Sequence, residues 1–477
     1  MNTRLTSSRS FDFLWLCIAL MPLIGLSFLF AIQPQDFWWL MRVGQETLQS
    51  GAIPVTDTIS WSQAGQPIIY QQWLSGVLLY LAYRSGGVAF TLLLRGVLLA
   101  VTYAVIWVMA RDLSTPRIAS LIVFVLGIAT ANNWAMRSQL FAYPLFVLCL
   151  WSLLRWQSGD KKYVWILPIS ALLWANLHGS FILPFVLAGA ALVFGKGDRK
   201  SLAIALALMI PAILINPRGV GVWNYFTFML NSPSDHIFSF EWAPPRNEGW
   251  QMNIFFAWML AFAPLAAFSP RKLSIFEWVL YLGFGWLALT GLRYVIWFLF
   301  IVAVFTASLL SSWIKNTAEP KQIFPALNFS FGIFLLIIPL IFLPNLRTAW
   351  MGDSAPVYET PTTPLAATEW LVGHPEACSN LWADYSFGGY LSFAMPSCQP
   401  WMDSRFNAYP PEQWTEYVQV SNAEDWQTMF DREDINLLML SHAAQPKLVE
   451  AVTLSENWCE EYRDDVAVIF SRCEASQ

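Results

Sequence analysis

The sequence of 477 residues contains little charge. Asp, Glu, Lys and Arg make up 12% of it and hydrophobic residues 56%, whereas charged residues make up ~25% of a typical soluble domain. This composition excludes an ordinary water-soluble enzyme and predicts a polytopic membrane protein. The sequence also lacks a Walker loop, a dinucleotide-binding fingerprint, a G-x-S-x-G motif and an H-E-x-x-H motif. The corresponding nucleotide-dependent, serine-hydrolase and zinc-protease mechanisms therefore have no support.

Cysteine is scarce, and four of the six cysteines lie near the C-terminus: Cys378, Cys398, Cys459 and Cys473. The other two, Cys17 and Cys149, fall inside apolar segments. An even number of cysteines in a polar region is typical of disulfides formed in an oxidising compartment. We predict the two local pairings, the first cysteine with the second and the third with the fourth. Their spacing does not fit a C-x-x-C zinc site.

Long apolar segments recur along the first part of the chain. A helix needs about 20 predominantly apolar residues to cross a bilayer, and the segments that reach or approach this length are 13–32, 88–110, 118–132, 140–154, 164–177, 181–194, 202–215, 254–268, 275–290, 295–312 and 324–342. We therefore predict about eleven transmembrane helices. The stretch 72–83 is too short to cross and is expected to lie along the membrane surface.

Positive charge marks one side of the predicted membrane domain. Every second loop is basic, with the residues Arg4, Arg9, Arg111, Arg117, Arg155, Lys161, Lys162, Lys196, Arg199, Lys200, Arg271, Lys272, Lys315 and Lys321. Loops rich in Lys and Arg stay in the cytoplasm. The sequence therefore predicts a multi-pass protein of a bacterial inner membrane, with a cytoplasmic N-terminus held by a retained signal anchor. An odd number of spans then places the C-terminal part outside the cytoplasm.

The charge balance also divides the chain into two parts. Residues 1–344 carry 21 Lys and Arg against 12 Asp and Glu, whereas residues 345–477 carry 6 against 20. We interpret the first part as a transmembrane domain, with residues 33–87 as its first external loop, and the second as a soluble extracytoplasmic domain. Strand-like segments at 378–382, 400–403 and 458–470 alternate with helical patterns, which predicts a small α/β domain. Its acidic charge argues against nucleic acid as a partner.

The ionisable residues on the predicted outer side are the candidates for function. They include Asp36, Asp57, Arg137, His178, Arg218, Asp235, His236, Glu241, Arg246 and Arg293. Ionisable groups near membrane depth are costly, so they usually line a cavity or mark a functional site. Taken singly, each is also compatible with a snorkelling or helix-capping side chain. Together they predict a water-filled external cavity with carboxylates and cations.

Several motifs on this side have a recognisable pattern. The first external loop reads Asp36-Phe-Trp-Trp, Gly44, Gly51-x-Ile-Pro-x-x-Asp57 and Trp73-Leu. Later stretches read Arg137-Ser-Gln-Leu-Phe, Trp174-Ala-Asn-Leu-His178-Gly, Asn216-Pro-Arg218-Gly, Glu241-Trp-Ala-Pro-Pro and Asp403-Ser-Arg405. This set resembles a family of bacterial polytopic membrane proteins that is similar to the lipid-dependent, GT-C-type glycosyltransferases, such as oligosaccharyltransferases and protein mannosyltransferases. The resemblance implies a GT-C-like membrane domain and hexosyl transfer.

The resemblance also implies roles for individual residues. Asp36 is expected to act as general base or to hold the acceptor, and the remaining members are expected to bind substrate. The cations Arg137, Arg218 and Arg293, with His178, are expected to take the charge of a phosphate leaving group. Asp57 and Glu241 are expected to be second carboxylates, for binding the acceptor or a metal. Trp382-Ala-Asp384-Tyr385-Ser is similar to the Trp-Trp-Asp-Tyr-Gly motif of oligosaccharyltransferases, with Ala383 and Ser386 in place of Trp and Gly.

The expected partners are a polyprenyl-phosphate-linked sugar, membrane lipids and an acceptor that the sequence does not identify as glycan, lipid or protein. Metal-dependent members of the superfamily carry an Asp-x-Asp motif in an external loop. None is present here, so no metal site or other cofactor is predicted. Two alternatives remain open at this point. One is a transporter or flippase for lipid-linked glycans, which would favour internal repeats and ionisable groups near mid-membrane. The other is a non-catalytic membrane scaffold.

Overall fold

A computed structural model of the chain describes residues 2–313, 324–352, 356–359 and 362–473. The helices of the first 352 residues are α1 (Asn2–Leu29), α2 (Pro34–Ser50), α3 (Trp73–Leu113), α4 (Pro116–Ala129), α5 (Gln139–Gln157), α6 (Ile166–Leu177), α7 (Leu183–Phe194), α8 (Arg199–Leu214), α9 (Val222–Asn231), α10 (Pro233–Phe238), α11 (Gly249–Phe268), α12 (Ile275–Thr290), α13 (Val295–Ser311), α14 (Pro325–Ile337) and α15 (Pro344–Met351). The helices that follow are α16 (Leu365–Gly373), α17 (Tyr385–Ala394), α18 (Pro411–Ser421), α19 (Trp426–Arg432) and α20 (Pro446–Thr453). The strands are β1 (Leu381–Ala383), β2 (Leu437–Ser441), β3 (Trp458–Arg463) and β4 (Ala467–Arg472).

Six helices among the described residues are long and apolar enough to cross a membrane. The number rises to seven if Arg199–Leu214 and Gly219–Phe238, which meet at an angle of 103°, form one bent span. Three shorter apolar helices, α4, α7 and α12, accompany them. All of the apolar segments predicted from the sequence fall largely on helices, whereas their number as membrane spans stays a prediction.

The first external loop of the sequence analysis contains a helix that was not predicted. Helix α2 begins with Pro34 at its first position and ends at Gly51, whose φ of 72° provides a left-handed cap. Phe37, Leu40 and Met41 are fully buried on one face. This helical spacing of apolar residues was a signal available in the sequence, beside the polar and aromatic residues that favoured a loop.

A close helix crossing fixes α2 against the beginning of α3. A Cβ atom placed on Gly44 would lie 2.2 Å from the carbonyl oxygen of Gly76, so only glycine fits there. Helix α3 includes the stretch expected at the membrane surface, and Gly86 and Gly87 interrupt it with non-helical backbone. Gly87 has a φ of 59°, a conformation that glycine adopts without steric cost. The kink therefore separates a segment that packs on α2 from the long apolar segment.

The four strands form a mixed sheet in the order β1-β2-β4-β3. β1 pairs with β2 in parallel, and the remaining pairs are antiparallel. The hairpin predicted for 458–470 is present as β3 and β4, whereas the strand expected at 400–403 is a single bridge between Leu381 and Pro400. Turns on both sides of that bridge prevent a longer pairing.

The cysteines near the C-terminus are paired as predicted. Cys378 and Cys398 form a disulfide with Cα atoms 5.6 Å apart, and Cys459 and Cys473 form one with Cα atoms 5.1 Å apart. The second disulfide joins the two strands of the β3–β4 hairpin near their ends.

Basic residues from several predicted cytoplasmic loops meet at one end of the helical bundle. Arg111 lies 2.5 Å from Asp12, and both Arg111 and Arg155 pair with Asp112. These contacts bring together the beginning of α1 and the ends of α3 and α5. Lys315 and Lys321 lie outside the described residues. The orientation of this end relative to the cytoplasm stays a prediction.

Candidate functional site

A cavity of about 260 Å³ lies between the helical bundle and residues of the C-terminal part of the chain. Six of the nine residues predicted to be catalytic or substrate-binding line it: Asp36, Arg137, His178, Glu241, Arg293 and Tyr385. The segment Ser404–Asn407 contributes a further part of the wall. The cavity thus gathers side chains that are separated by more than half of the sequence.

Backbone contacts position Asp36 at the cavity. Ile32 donates its N–H to the carbonyl of Val357 at 2.9 Å and accepts from the N–H of Glu359 at 3.0 Å. This bridge fixes the turn between α1 and α2, and Asp36 follows in the first turn of α2. A carboxylate is favourable there because the helix dipole is positive at that end. Trp39 donates its indole N–H to Asp36 Oδ1 at 3.3 Å.

Two buried arginines hold the end of α1 just before this turn. Arg95 donates to the carbonyls of Ser27 and Phe30, and Arg347 donates to the carbonyl of Phe28 at 2.7 Å. The last carbonyls of a helix have no partner within it, and a cation is favourable at that negative end. Arg95 and Arg347 therefore cap α1 and support the turn that carries Asp36.

A carboxylate–arginine pair forms one wall of the cavity. Arg137 Nη1 donates to Glu241 Oε1, and Arg137 Nη2 donates to Gln139 Oε1 at 2.8 Å. Gln139 in turn donates to the carbonyl of Arg293 at 3.4 Å. Burial raises the pKa of Glu241, but the charges of Arg137 and Arg293 outweigh it, so the net pKa is lowered. The negative charge of Glu241 is therefore largely compensated by Arg137.

Arg293 is different because no Asp or Glu within the described ranges pairs with it. Its guanidinium carbon lies 4.4 Å from the centre of the Trp242 ring, a cation–π distance. The backbone is held by a hydrogen bond of 2.9 Å from the N–H of Leu292 to the carbonyl of Ala243. Arg293 thus presents an oriented cation to the cavity without a carboxylate partner.

His178 is neutral in this structure, although the sequence analysis grouped it with the cations. Its Nδ1 accepts from the N–H of Ser180 at 3.1 Å, so Nδ1 carries no proton and Nε2 does. Burial lowers the pKa of His178 well below its ordinary value, and the charges of Arg293 and Arg137 lower it further. His178 is therefore a hydrogen-bond donor through Nε2 and not a cation.

The pKa of Asp36 is shifted in the opposite direction to that of Glu241. Burial raises the pKa of Asp36 above the ordinary range for aspartate, and Glu241 adds to the rise, while Arg137, Arg293 and the Trp39 hydrogen bond oppose it. A carboxylate with a raised pKa binds a proton more tightly than an ordinary one. Asp36 is therefore better suited to general-base catalysis than an exposed aspartate.

Three of the predicted substrate-binding residues, Asp57, Arg218 and Asp384, do not line the cavity. Asp57 is buried and pairs with Arg405 at 3.0 Å. Asp384 accepts from the N–H of Ser386 at 2.9 Å and from the hydroxyl of Tyr417 at 3.0 Å, and so caps α17. Arg218 donates to the carbonyl of Ile68 at 3.2 Å. In this structure their contacts are with the protein itself.

The cavity also contains polar residues to which the sequence analysis gave no role, chiefly Gln72 and Asp235. Gln72 adjoins the Trp73-Leu motif, and Asp235 was grouped only with the outer ionisable residues. Neither has a motif that marks it as a ligand-binding residue. Among the described residues, no group of three or more His, Cys, Asp or Glu side chains is arranged to hold a metal ion.

Comparisons with known proteins give similarity in structure alone. No protein-family model matches the chain, and no curated protein matches it by sequence. Among solved structures, the Archaeoglobus fulgidus oligosaccharyltransferase AglB, in complex with an inhibitory peptide and a dolichol-phosphate, has a TM-score of 0.59 at 10% identity. The match covers 96% of this chain and 74% of AglB.

Two other transferases have the same overall arrangement. The mycobacterial arabinofuranosyltransferase AftD matches with a TM-score of 0.60 at 14% identity, over 97% of this chain and 40% of AftD. Cupriavidus metallidurans ArnT, bound to undecaprenyl phosphate, matches with a TM-score of 0.51 at 10% identity, over 98% of this chain and 97% of ArnT. The chain therefore has a GT-C-like fold, as the motifs predicted.

Proposed function

We propose that this protein is a GT-C-type membrane glycosyltransferase that transfers a sugar from a polyprenyl-phosphate-linked donor to an acceptor on the extracytoplasmic face. One observation carries the proposal: Asp36, a partly buried carboxylate with a raised pKa, and Arg293, a cation without a carboxylate partner in the described chain, line the same cavity. Transfer from a phosphate-linked sugar requires a base for the acceptor and a cation for the leaving group. The fold supports the proposal because its solved neighbours are glycosyltransferases.

The reaction assigns a separate task to each side chain. Asp36 accepts the proton of the acceptor nucleophile, which forms a bond to the anomeric carbon of the sugar. The bond between that carbon and the phosphate oxygen breaks, and its electron pair leaves with the polyprenyl phosphate. Arg293 neutralises the departing phosphate, and the Nε2–H of His178 donates a hydrogen bond to it. Glu241 keeps the guanidinium of Arg137 in place.

The apolar part of the cavity suits the lipid of the donor. Leu183, Phe226 and Met229 line it, and Leu230, which is 48% exposed, extends the apolar surface outward. In two solved neighbours the bound lipids are a dolichol-phosphate and undecaprenyl phosphate. We place the polyprenyl chain along this apolar side, with its phosphate at Arg293 and its sugar inside the cavity. The proposal keeps the predicted location in a bacterial inner membrane, with the cavity and residues 345–477 facing outward.

The alternatives of the sequence analysis have less support. The ionisable residues of the cavity meet at one end of the bundle, opposite the cluster of Arg111 and Arg155, which favours transfer at a surface over passage of a glycan through the membrane. Asp36 faces a cavity, which favours a catalytic protein over a scaffold. The acceptor and the identity of the sugar are not part of the proposal.

A transfer assay with purified protein tests the proposal. The donor is a labelled fraction of polyprenyl-phosphate-linked sugars, and the acceptor is a membrane extract of the native host. Wild type is compared with the variant Asp36→Asn. We expect transfer to fall by at least ~100-fold, because loss of a general base typically costs 10²–10⁴ in rate. Asp160→Asn, at an exposed carboxylate that pairs only with Lys162 among the described residues, is the matched control. Full activity of Asp36→Asn would remove Asp36 from the mechanism.

A further inference from the structure

Three polar atoms in the residues that line the cavity are buried and have no hydrogen-bond partner within the described protein. They are Gln72 Oε1, Asp235 Oδ2 and Arg137 Nε. An unpartnered buried polar atom destabilises the fold, because it has lost its hydrogen bonds to water without gaining others. Three such residues around a single cavity indicate that a polar ligand completes their hydrogen bonds.

Asp235 is held on a rigid part of the cavity wall. Its side chain belongs to α10, and only 8% of the residue is exposed. The neighbouring Ser234 hydroxyl donates to the carbonyl of Tyr409 at 2.8 Å, and Phe238 stacks on Trp414 with ring centres 5.7 Å apart. These contacts join α10 to the C-terminal part of the chain. The Asp235 carboxyl group is therefore fixed in position before a ligand binds.

Gln72 is fixed in a comparable way at the beginning of α3. The side chain of Gln71 donates to the carbonyl of Ala175, and the Trp73 indole donates to Asn176 Oδ1 at 3.1 Å. Both neighbours of Gln72 are thus attached to the end of α6. Its own side chain has no such contact through Oε1, although it lines the cavity.

The chemistry of the two oxygens defines the ligand. Gln72 Oε1 and Asp235 Oδ2 are hydrogen-bond acceptors, so they require donors. An ionised phosphate offers only acceptors and suits Arg293 instead. Asp235 and Arg293 line the same cavity, so a sugar attached to a phosphate at Arg293 would share that cavity with Asp235. Sugar hydroxyls are the donors that a phosphate-linked sugar presents there.

We infer that Asp235 and Gln72 bind hydroxyl groups of the donor sugar and determine which sugar the protein accepts. This inference rests on the proposed function. It assigns the phosphate to Arg293 and His178, and the sugar to residues that no motif marks. Asp235 and Gln72 would then contribute to binding the glycosylated lipid and contribute nothing to binding the lipid phosphate alone.

Binding of defined lipids to purified protein tests this division. The probes are undecaprenyl phosphate and a panel of undecaprenyl-phosphate hexoses and pentoses, and the variants are Asp235→Ala and Gln72→Ala. We expect each variant to bind the preferred glycosylated lipid about tenfold more weakly, since one hydrogen bond to a charged or buried group is worth about that factor. Binding of undecaprenyl phosphate should stay unchanged. Glu248→Ala and Gln66→Ala, at exposed positions outside the cavity, are the controls.

Singly deoxygenated analogues of the preferred sugar sharpen the test. One analogue should lack the hydroxyl that Asp235 binds. We expect wild type to bind this analogue as weakly as Asp235→Ala binds the full sugar. Asp235→Ala should bind the analogue no more weakly than it binds the full sugar. Equal losses for the glycosylated and bare lipids, or a wild type that gains no affinity from any sugar, would overturn the inference. If wild type does not bind undecaprenyl phosphate at all, the proposed function fails. That outcome is distinct from failure of this inference alone, in which the bare lipid still binds.

Discussion

Two of the arginine–carboxylate clusters in the molecule differ in how far their hydrogen bonds are satisfied. In one, Arg405 lies 3.0 Å from Asp57 and 2.6 Å from Asp403. It also donates to the hydroxyls of Tyr70 at 2.6 Å and Tyr409 at 3.3 Å. The side chains of this ion-paired group are at most 2% exposed. In the cavity, by contrast, the side chains of Arg137 and Glu241 are 18% and 24% exposed.

The difference separates a structural cluster from a candidate site built of the same residue types. Arg405 connects the first external loop with the C-terminal part of the chain. Its guanidinium N–H groups donate to the carboxylates of Asp57 and Asp403. In the cavity, Arg293 has no carboxylate partner and polar atoms of Gln72 and Asp235 are unsatisfied, as far as the described residues are concerned. Satisfied buried groups rigidify a fold, whereas each unsatisfied one calls for an explanation, such as a bound ligand or a catalytic role.

The largest effect is expected from breaking the satisfied cluster. Arg405→Met leaves Asp57 and Asp403 buried without their cation, which we expect to lower the free energy of unfolding by about 3–5 kcal/mol. Thermal unfolding in detergent measures it. Arg432→Met is the control, because Arg432 pairs with Glu416 at an exposed position and such pairs are worth about 0–1 kcal/mol. Equal losses in the two variants would contradict a structural role for Arg405.

The next effect concerns the cation of the cavity. Arg293→Ala should reduce transfer by about 100- to 1,000-fold, the cost of losing one donor to the charge of a transition state. Its thermal stability should change little, because Arg293 has no carboxylate partner to leave unpaired within the described chain. Arg293→Lys, which keeps the charge but not the planar fork, should recover part of the activity. A large loss of stability without a specific loss of transfer would place Arg293 with the structural cluster.

A smaller effect is expected on the pH dependence of stability. Burial raises the pKa of Asp36 in the folded protein above its unfolded value. Such a group stabilises the fold when protonated, and this contribution is lost as the pH rises through the folded-state pKa. Asp36→Asn should therefore unfold at a higher temperature than wild type at neutral pH. The difference should vanish below about pH 4, near the unfolded pKa of aspartate. A variant that is less stable than wild type at neutral pH would contradict the raised pKa.

The sequence grouped the ionisable residues on one predicted side of the membrane, but it did not indicate which of them share a cavity. Alternating basic loops grouped Asp36, Arg137 and Arg293 with Asp57, because charge patterns report the side of a membrane and not the direction of a side chain. Contacts across the chain decide the rest: Arg405, 348 residues away, takes the carboxylate of Asp57 into the protein interior.

Local geometry was also beyond what composition and spacing predict. The neutral state of His178 depends on the backbone N–H of Ser180 pointing at its ring, and no residue pattern reports that orientation. The overall architecture was easier to predict, since apolar segments form helices wherever backbone groups have no water to bond. The strand predicted at 400–403 did not form because a turn before it and a bend within it interrupt the extended backbone.

A structure of the protein with undecaprenyl phosphate tests most directly whether the cavity is a lipid-phosphate site. We expect the phosphate within hydrogen-bond distance of the Arg293 guanidinium and of His178 Nε2, with the polyprenyl chain beside Leu183 and Phe226. A phosphate bound elsewhere, with Arg293 still stacked on Trp242 and without a ligand, would contradict the proposed function.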